Sequence, residues 1–396
     1  MIRREDAAAQ LPSLQHVPIQ PMLLGCLSCA DRYLCGGLRV SASLFNCLGH
    51  CTACNPRKCD QVCPRNIRYA ERIREVNGFE LMTLDRRAPL PLPTLPDHAH
   101  IMFRNPKLEG WITQPYAAIP LSETYLDHGK IALALSRDEV LEKFRLAPST
   151  SIIITGTEDD THVEKWWKYG GNKSLLSAIA KIGAILVTTP NFSSIADAPR
   201  HDNMHSMKRI ILSWAEFHDA GIPAALHLNG RTDHDFLRLA QFVTKHEEIE
   251  AVSFEFETGA ATRVRGEFYV AELIRFADRV GRPLTLVMRA GMHWFSRLSP
   301  SFRQIVQLNS VATMKTRYRR QAHMADGRLR WTEHHTSCGE PLDQLLSHNM
   351  VTVSEWMAAI RTMAPRQRQF IPNSVERIAS KAKRQAHDET IQLSLL

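Results

Sequence analysis

The chain has 396 residues, of which 44% are hydrophobic and 23% charged, with a formal net charge of +8. This composition excludes a disordered or membrane-embedded chain, and no apolar run reaches the ~18 residues that a membrane helix needs. The length suits one large domain with a small module, and a positive excess spread over so many residues permits contact with nucleic acid without specifying it.

The N-terminus, MIRREDAAAQLPSLQHVPIQPMLL, places acid, Gln, Pro and His where a secretory signal needs an unbroken apolar stretch, so a cytoplasmic location is expected. Eight of the nine cysteines follow within residues 26 to 63: Cys26, Cys29, Cys35, Cys47, Cys51, Cys54, Cys59 and Cys63. In a reducing compartment such clustering points to metal ligation rather than disulfides. The first set runs C-x2-C-x5-C. The second runs C-x2-C-x4-C-x3-C-P and ends at Pro64. A two-residue gap lets two thiolates grip one ion from a single turn, as zinc and iron-sulfur sites both require.

The run from Cys51 to Cys63 resembles a bacterial ferredoxin cluster run, with two extra residues between its second and third cysteines. That resemblance implies a 4Fe-4S cluster. Eight thiolates also suffice for two tetrahedral Zn2+ sites, so both metals stay open. Cys47, Cys51 and Cys54 further match the C-x3-C-x2-C spacing of radical S-adenosylmethionine enzymes, although Ala53 stands where that family carries an aromatic residue. Metal would supply the folding energy of a segment this poor in large apolar side chains. Residues 1–87 are therefore expected to form a cysteine-rich module, rimmed by Arg32, Arg39, Arg57, Lys58 and Arg65. A role as a mere structural cap fits the same cysteines.

RNIRYAERIREVNGFEL predicts a helix that stops at Gly78, and the proline-rich APLPLPTLP, residues 88–96, predicts a semi-rigid connector. From about residue 99 short apolar runs alternate with longer amphipathic ones. The expected strands are IMFR from 101, YAAIPL from 116, SIIITG from 151, AILVTTP from 184, PAALHLNG from 223, EAVSFEFETG from 250, PLTLVMRAG from 283 and SVATMKT from 310. Helical patterns start at 175, 203, 235 and 269, several of them ending in Gly before the next strand. The expected fold is α/β, a (β/α) barrel-like parallel sheet over residues 97–330, with a doubly wound open sheet as the alternative. Residues 331–396 are expected to form a helical, basic C-terminal extension.

In such a sheet the ligand site lies beyond the C-terminal strand ends, and those ends are polar here. His227 and Asn229 share a strand face, as do Glu255 and Glu257. With Asp159 these form the candidate catalytic set of Glu255, Glu257, His227 and Asp159, suited to general acid-base work on a polar or anionic substrate. Asn191, Asn229, Arg231, Arg289 and Lys315 are the candidate substrate-binding set. Plainer roles exist for each: Asp159 and Asp160 suit a helix N-terminus, and the glutamates suit ion pairs with Arg289 or Lys315. The Trp166–Trp167 pair offers base stacking or, more simply, packing of a helix on the barrel. Basic runs at 317–320 and 377–385 offer phosphate contacts or solvated faces. Neither G-x-G-x-x-G nor a Walker A loop occurs.

The segment TPNFSSIADAPRHDNMHSMKRIILSWAEFHDAGIPAALHLNG, residues 189–230, resembles an uncharacterised bacterial family borne on phages and plasmids, with the shared pattern at Asn191, Phe192, Ser193 and Asp197. The resemblance implies a mobile-element or host-defence setting. Three functions follow as expectations: a metal-containing enzyme acting on a polar, nucleotide or nucleic-acid substrate; a non-catalytic nucleic-acid- or protein-binding component of a defence or plasmid complex; or a radical S-adenosylmethionine enzyme.

Overall fold

A computed structural model describes residue 72 and residues 74–363, apart from 130, 170–171, 195–199, 258–259, 261 and 338. The clustered cysteines, Asp197 and the basic run at 377–385 lie outside the described residues.

Eight parallel strands close into a barrel. In chain order they are β1 (His98–Ile101), β2 (Tyr116–Pro120), β5 (Ser151–Thr155), β6 (Leu186–Thr188), β7 (Ala224–His227), β8 (Ala251–Glu255), β9 (Thr285–Arg289) and β10 (Gln304–Asn309). Each pairs with the next, and β10 returns to β1 with His98 opposite Gln307. Between β2 and β5 lie an antiparallel hairpin, β3 (Tyr125–Asp127) and β4 (Ala132–Ala134), and helix α1 (Arg137–Phe144). The outer helices are α2 (Asp160–Tyr169), α3 (Lys173–Ala180), α4 (Arg200–Asp219), α5 (Asp233–Lys245) and α6 (Arg263–Val280). The short α7 (Phe295–Leu298) and α8 (Val311–Arg317) flank β10, and a second hairpin, β11 (Arg320–Ala325) and β12 (Arg328–Glu333), leads to α9 (Asp343–Met363). No helix connects β1 to β2. No helix among the described residues is long and apolar enough to cross a membrane.

Strand parity sorts the core into two layers. Ala99, Ile101, Ala118, Ile153, Leu186, Ala225, Ala251, Val287, Val306 and Leu308 cluster inside the barrel. Their sequence neighbours Ala117, Ile152, Ile154, Val187, Leu226, Val252, Leu286 and Ile305 pack outward among the helices. Alternating small and large side chains fill the interior, which is a packed core rather than a pore.

Two strands differ from expectation. SVATMKT is not a strand: residues 311–317 form α8, which buries Ala312, Thr313 and Thr316 at helical spacing. The last strand is QIVQLN, whose Gln307 and Asn309 lie on the opposite face from Val306 and Leu308 and are buried by other partners. The Gln307 amide donates to Ala290 O at 3.2 Å, and Asn309 Oδ1 accepts from Val311 N at 2.7 Å. The first strand, expected from residue 101, instead covers 98–101. His98 and His100 occupy its outer face, where both rings reach Ser354 of α9, at 2.9 and 3.0 Å.

The flanking segments pack on the barrel. A helical turn at residues 74–75 ends at Gly78, whose φ of 84° suits glycine. Val76 and Phe79 then bury against Met204, and the Arg238 guanidinium donates to Phe79 O at 3.0 Å. Residues 88–96 carry no regular structure. At the other end β12 spans residue 330, and Arg361 of α9 ion-pairs with Asp97 at 3.3 Å and donates to Ile305 O.

The tryptophan pair is structural on its α2 face. Trp166 is 2% exposed and stacks on Phe217 of α4 with ring centroids 5.3 Å apart. Trp167 meets Phe192 edge-on at 5.5 Å and donates its indole N–H to Glu75. Truncating Trp166 leaves a cavity between α2 and α4, so Trp166→Ala is expected to cost about 3–5 kcal/mol in urea denaturation. A loss below about 1 kcal/mol would show that the stack contributes little to the core.

Candidate active site at the barrel mouth

The inward faces continue past the apolar interior. Two residues beyond Ile153, Leu186, Ala225, Ala251 and Val287 stand Thr155, Thr188, His227, Ser253 and Arg289. Strand parity points all five along the barrel axis, as a polar layer above an apolar one. A further step brings Thr157, Asn229 and Glu255 to the rim, and Glu257 follows on the exit from β8.

Arg289 organises this layer. Its Nε lies 2.8 Å from Glu257 Oε2, and another guanidinium nitrogen donates to Thr157 O on the exit of β5, across the barrel. Glu255 is the register partner of Arg289 on the neighbouring strand. Directly after Arg289 the chain turns through Ala290 and Gly291, with φ of 56° and 67°. A left-handed alanine costs roughly 1–2 kcal/mol. At Gly291 a Cβ would sit 2.6 Å from the Phe256 ring, so glycine is required there.

Burial shifts the titratable groups in opposite senses. Glu257 is raised above the usual carboxylate value by burial; the Arg289 charge opposes this and Glu255 adds to it. The His227 imidazole is pushed down to about 3, by burial and then by the Arg289 charge, so it is neutral at physiological pH. Its Nδ1 lies 3.3 Å from Ser253 Oγ, and its backbone N–H donates to Thr189 Oγ1 at 2.8 Å. On the β5 side, burial raises Glu158 even though Ser122 donates to it through both N–H and hydroxyl.

The sequence-derived candidates thus divide. His227, Glu255, Glu257 and Arg289 come together on β7, β8 and β9. Asn191, Asn229 and Arg231 brace the rim. Asn191 Oδ1 accepts Glu158 N–H at 3.0 Å, and Asn229 Nδ2 donates to Phe192 O at 2.7 Å. Arg231 donates through Nε to Ser194 O at 2.6 Å and through Nη1 to Tyr269 Oη at 2.7 Å. Asp159 is exposed, and its carbonyl accepts the N–H groups of His162 and Val163, so it starts α2. Lys315 sits on α8 rather than at a strand end, with its ammonium 5.9 Å from the Trp331 ring centre.

Beside Thr155, at the polar end of SIIITGTEDD, Thr188, Ser253 and Ser194 also belong to the mouth, although the strand endings do not mark them. Parity along AVSFEFE places Ser253 on the face of Glu255, so that signal was present. Ser194 carries no such signal, because it lies beyond its strand. Close approach also shapes the rim: a Cβ at Gly156 would stand 2.6 Å from Thr188 O, so only glycine lets the β5 and β6 exits touch.

Among the described residues no group of three or more His, Cys, Asp or Glu side chains is placed to hold a metal ion. Comparison with models of known protein families and with curated proteins gave no match.

Because the folded-state pKa of His227 is depressed, its contribution to stability is complete above the ordinary imidazole value of 6.5 and is lost as pH falls toward about 3. His100, also pushed down to about 3 by burial, acts in the same window. His227→Gln should therefore flatten, without abolishing, the decline in urea midpoint between pH 7 and pH 4. An unchanged decline would mean that His227 is not held neutral.

Proposed function

We propose that the protein is a β/α-barrel enzyme performing general acid-base chemistry at the C-terminal mouth, on a polar substrate of the nucleotide or nucleic-acid class. The supporting observation is that His227, Glu255 and Arg289 face inward on three adjacent strands, with Glu257 on the exit from β8 beside Arg289, above an apolar floor. A half-buried carboxylate whose pKa lies above the usual carboxylate value can take a proton from substrate and return it within one cycle. Glu257 fills that role, and Arg289 orients it and limits the rise of its pKa. His227 serves as a neutral hydrogen-bonding group, since an imidazolium is disfavoured at that position. Glu255 lies beside Arg289 in register and lines the same mouth.

In this reading the cysteines Cys26, Cys29, Cys35, Cys47, Cys51, Cys54, Cys59 and Cys63 hold an iron-sulfur cluster or Zn2+, on the strength of their spacing. A cluster would supply redox chemistry, and zinc would supply structural stability. The mobile-element or host-defence setting rests on the resemblance of residues 189–230.

The catalytic assignment is tested by incubating the full chain with nucleotide and oligonucleotide pools and following products by mass spectrometry. Glu257→Gln should reduce turnover by about 10²–10⁴-fold. In Arg289→Met the carboxyl loses the charge that held its pKa down, so the acidic limb of the rate profile should move to higher pH. Full activity in both variants would remove the site. Salt-dependent binding to nucleic acid with no product formed would instead favour a non-catalytic binding component.

The metal is tested separately, on anaerobically purified protein. Brown colour with a broad absorbance at roughly 400 nm would identify iron-sulfur thiolates, whereas colourless protein with about two zinc ions per chain would identify structural zinc. Folded protein free of both would remove the ligand assignment.

A further inference from the structure

The Arg289 bridge to Thr157 O spans the barrel from β9 to the β5 exit, and a pocket lies beside it. That pocket is small, about 50 Å³, and runs between the exits of β6, β7 and β8 and the side of α6, with room for one edge of a ring. Its polar lining includes Ser194, His227, Asn229 and Glu255, against Phe254 and Tyr269.

We propose that this pocket takes the edge of an uncharged ring, one that alternates hydrogen-bond donors with acceptors as in a nucleobase or a sugar, and not a phosphate or carboxylate. The inference rests on the reading of the mouth as a substrate site and narrows what that site recognises.

The charges in the pocket argue against an anion. Arg231 is engaged by Ser194 O and Tyr269 Oη, and Arg289 by Glu257 and Thr157 O. An incoming anion would have to break those bonds while facing the carboxylates of Glu255 and Glu257 in a site of low dielectric. An uncharged ring meets no such cost. Glu255 accepts N–H or O–H donors, the Asn229 carbonyl oxygen is an acceptor once its Nδ2 is held by Phe192 O, and His227 adds a neutral ring nitrogen.

Ser194 is the observation that points to a ligand. Its side chain is 1% exposed, and its hydroxyl has no hydrogen-bond partner among the described residues. Buried hydroxyls are almost always satisfied. The neighbouring Ser193 hydroxyl is already committed to Asp160 at 2.5 Å, and the Ser194 backbone is fixed by Arg231. The Ser194 hydroxyl is therefore held in the pocket wall, shielded from solvent and without a partner among the described residues, and a ligand hydrogen bond would complete it.

The test is calorimetric titration of the full chain with adenosine, guanosine, cytidine, uridine, glucose and inorganic phosphate as separate probes. At least one uncharged ring should bind, phosphate should not displace it, and Ser194→Ala should weaken it about three- to tenfold, the loss of one neutral hydrogen bond. Because that hydroxyl has no partner among the described residues, Ser194→Ala should leave the thermal midpoint unchanged or raised. Nucleosides against glucose distinguish the two ring sources. Binding of phosphate alone, of none of the rings, or of a ring equally well by Ser194→Ala overturns the proposal. If Glu257→Gln abolishes turnover while no ring binds, the pocket assignment falls and the catalytic one stands. If ring binding depends on Ser194 while Glu257→Gln stays active, the reverse holds.

Discussion

A parallel sheet that closes on itself has an inside with no water, and alternate residues of every strand must face it. In this protein the arrangement of the mouth follows from that constraint. Where the interior residues are apolar the strands pack against one another across the axis. One step further, the same parity presents Thr155, Thr188, His227, Ser253 and Arg289 together. A slip of one residue in β8 would turn Phe254 and Phe256 into the mouth and press Glu255 and Glu257 against the helices, so site and core share a single register.

The polar layer is costly to desolvate, and its members compensate one another. Arg289 spends its guanidinium on Glu257 and on a carbonyl across the barrel, His227 is held neutral, and Glu257 is raised by burial. Removing one member of such a set leaves another buried without its partner, which is why charged layers in barrels are coupled rather than additive. The Ser194 hydroxyl, in the wall of the pocket beside this layer, has no such partner among the described residues.

Around this layer the strand exits are tied to each other by the polar side chains they carry. Asn191 joins the β6 exit to the β5 exit, while Asn229 and Arg231 join the β7 exit to the β6 exit. Gly156 lets two of those exits come into contact. A rim braced in this way holds its inward groups in place, the preorganisation that the proposed acid-base chemistry would need.

Much of this could be read from residue order. The apolar runs at β2, β5, β6, β7, β8 and β9 and the helices between them pointed to a parallel α/β sheet, barrel or open, and period-two spacing paired His227 with Asn229 and Glu255 with Glu257. The errors have a common cause. Gln304, Gln307 and Asn309 made a buried strand look polar, and His98 and His100 hid the start of β1, because helices and loops supply the partners that make those residues tolerable inside. The same ambiguity separates Asn229 and Arg231, which brace loops, from Glu257 and Arg289, which face each other at the mouth. Local spacing determines which side chains share a face of a strand. Only closure of the barrel decides which face is inside and which polar groups find partners there, because those partners come from strands and loops distant in sequence.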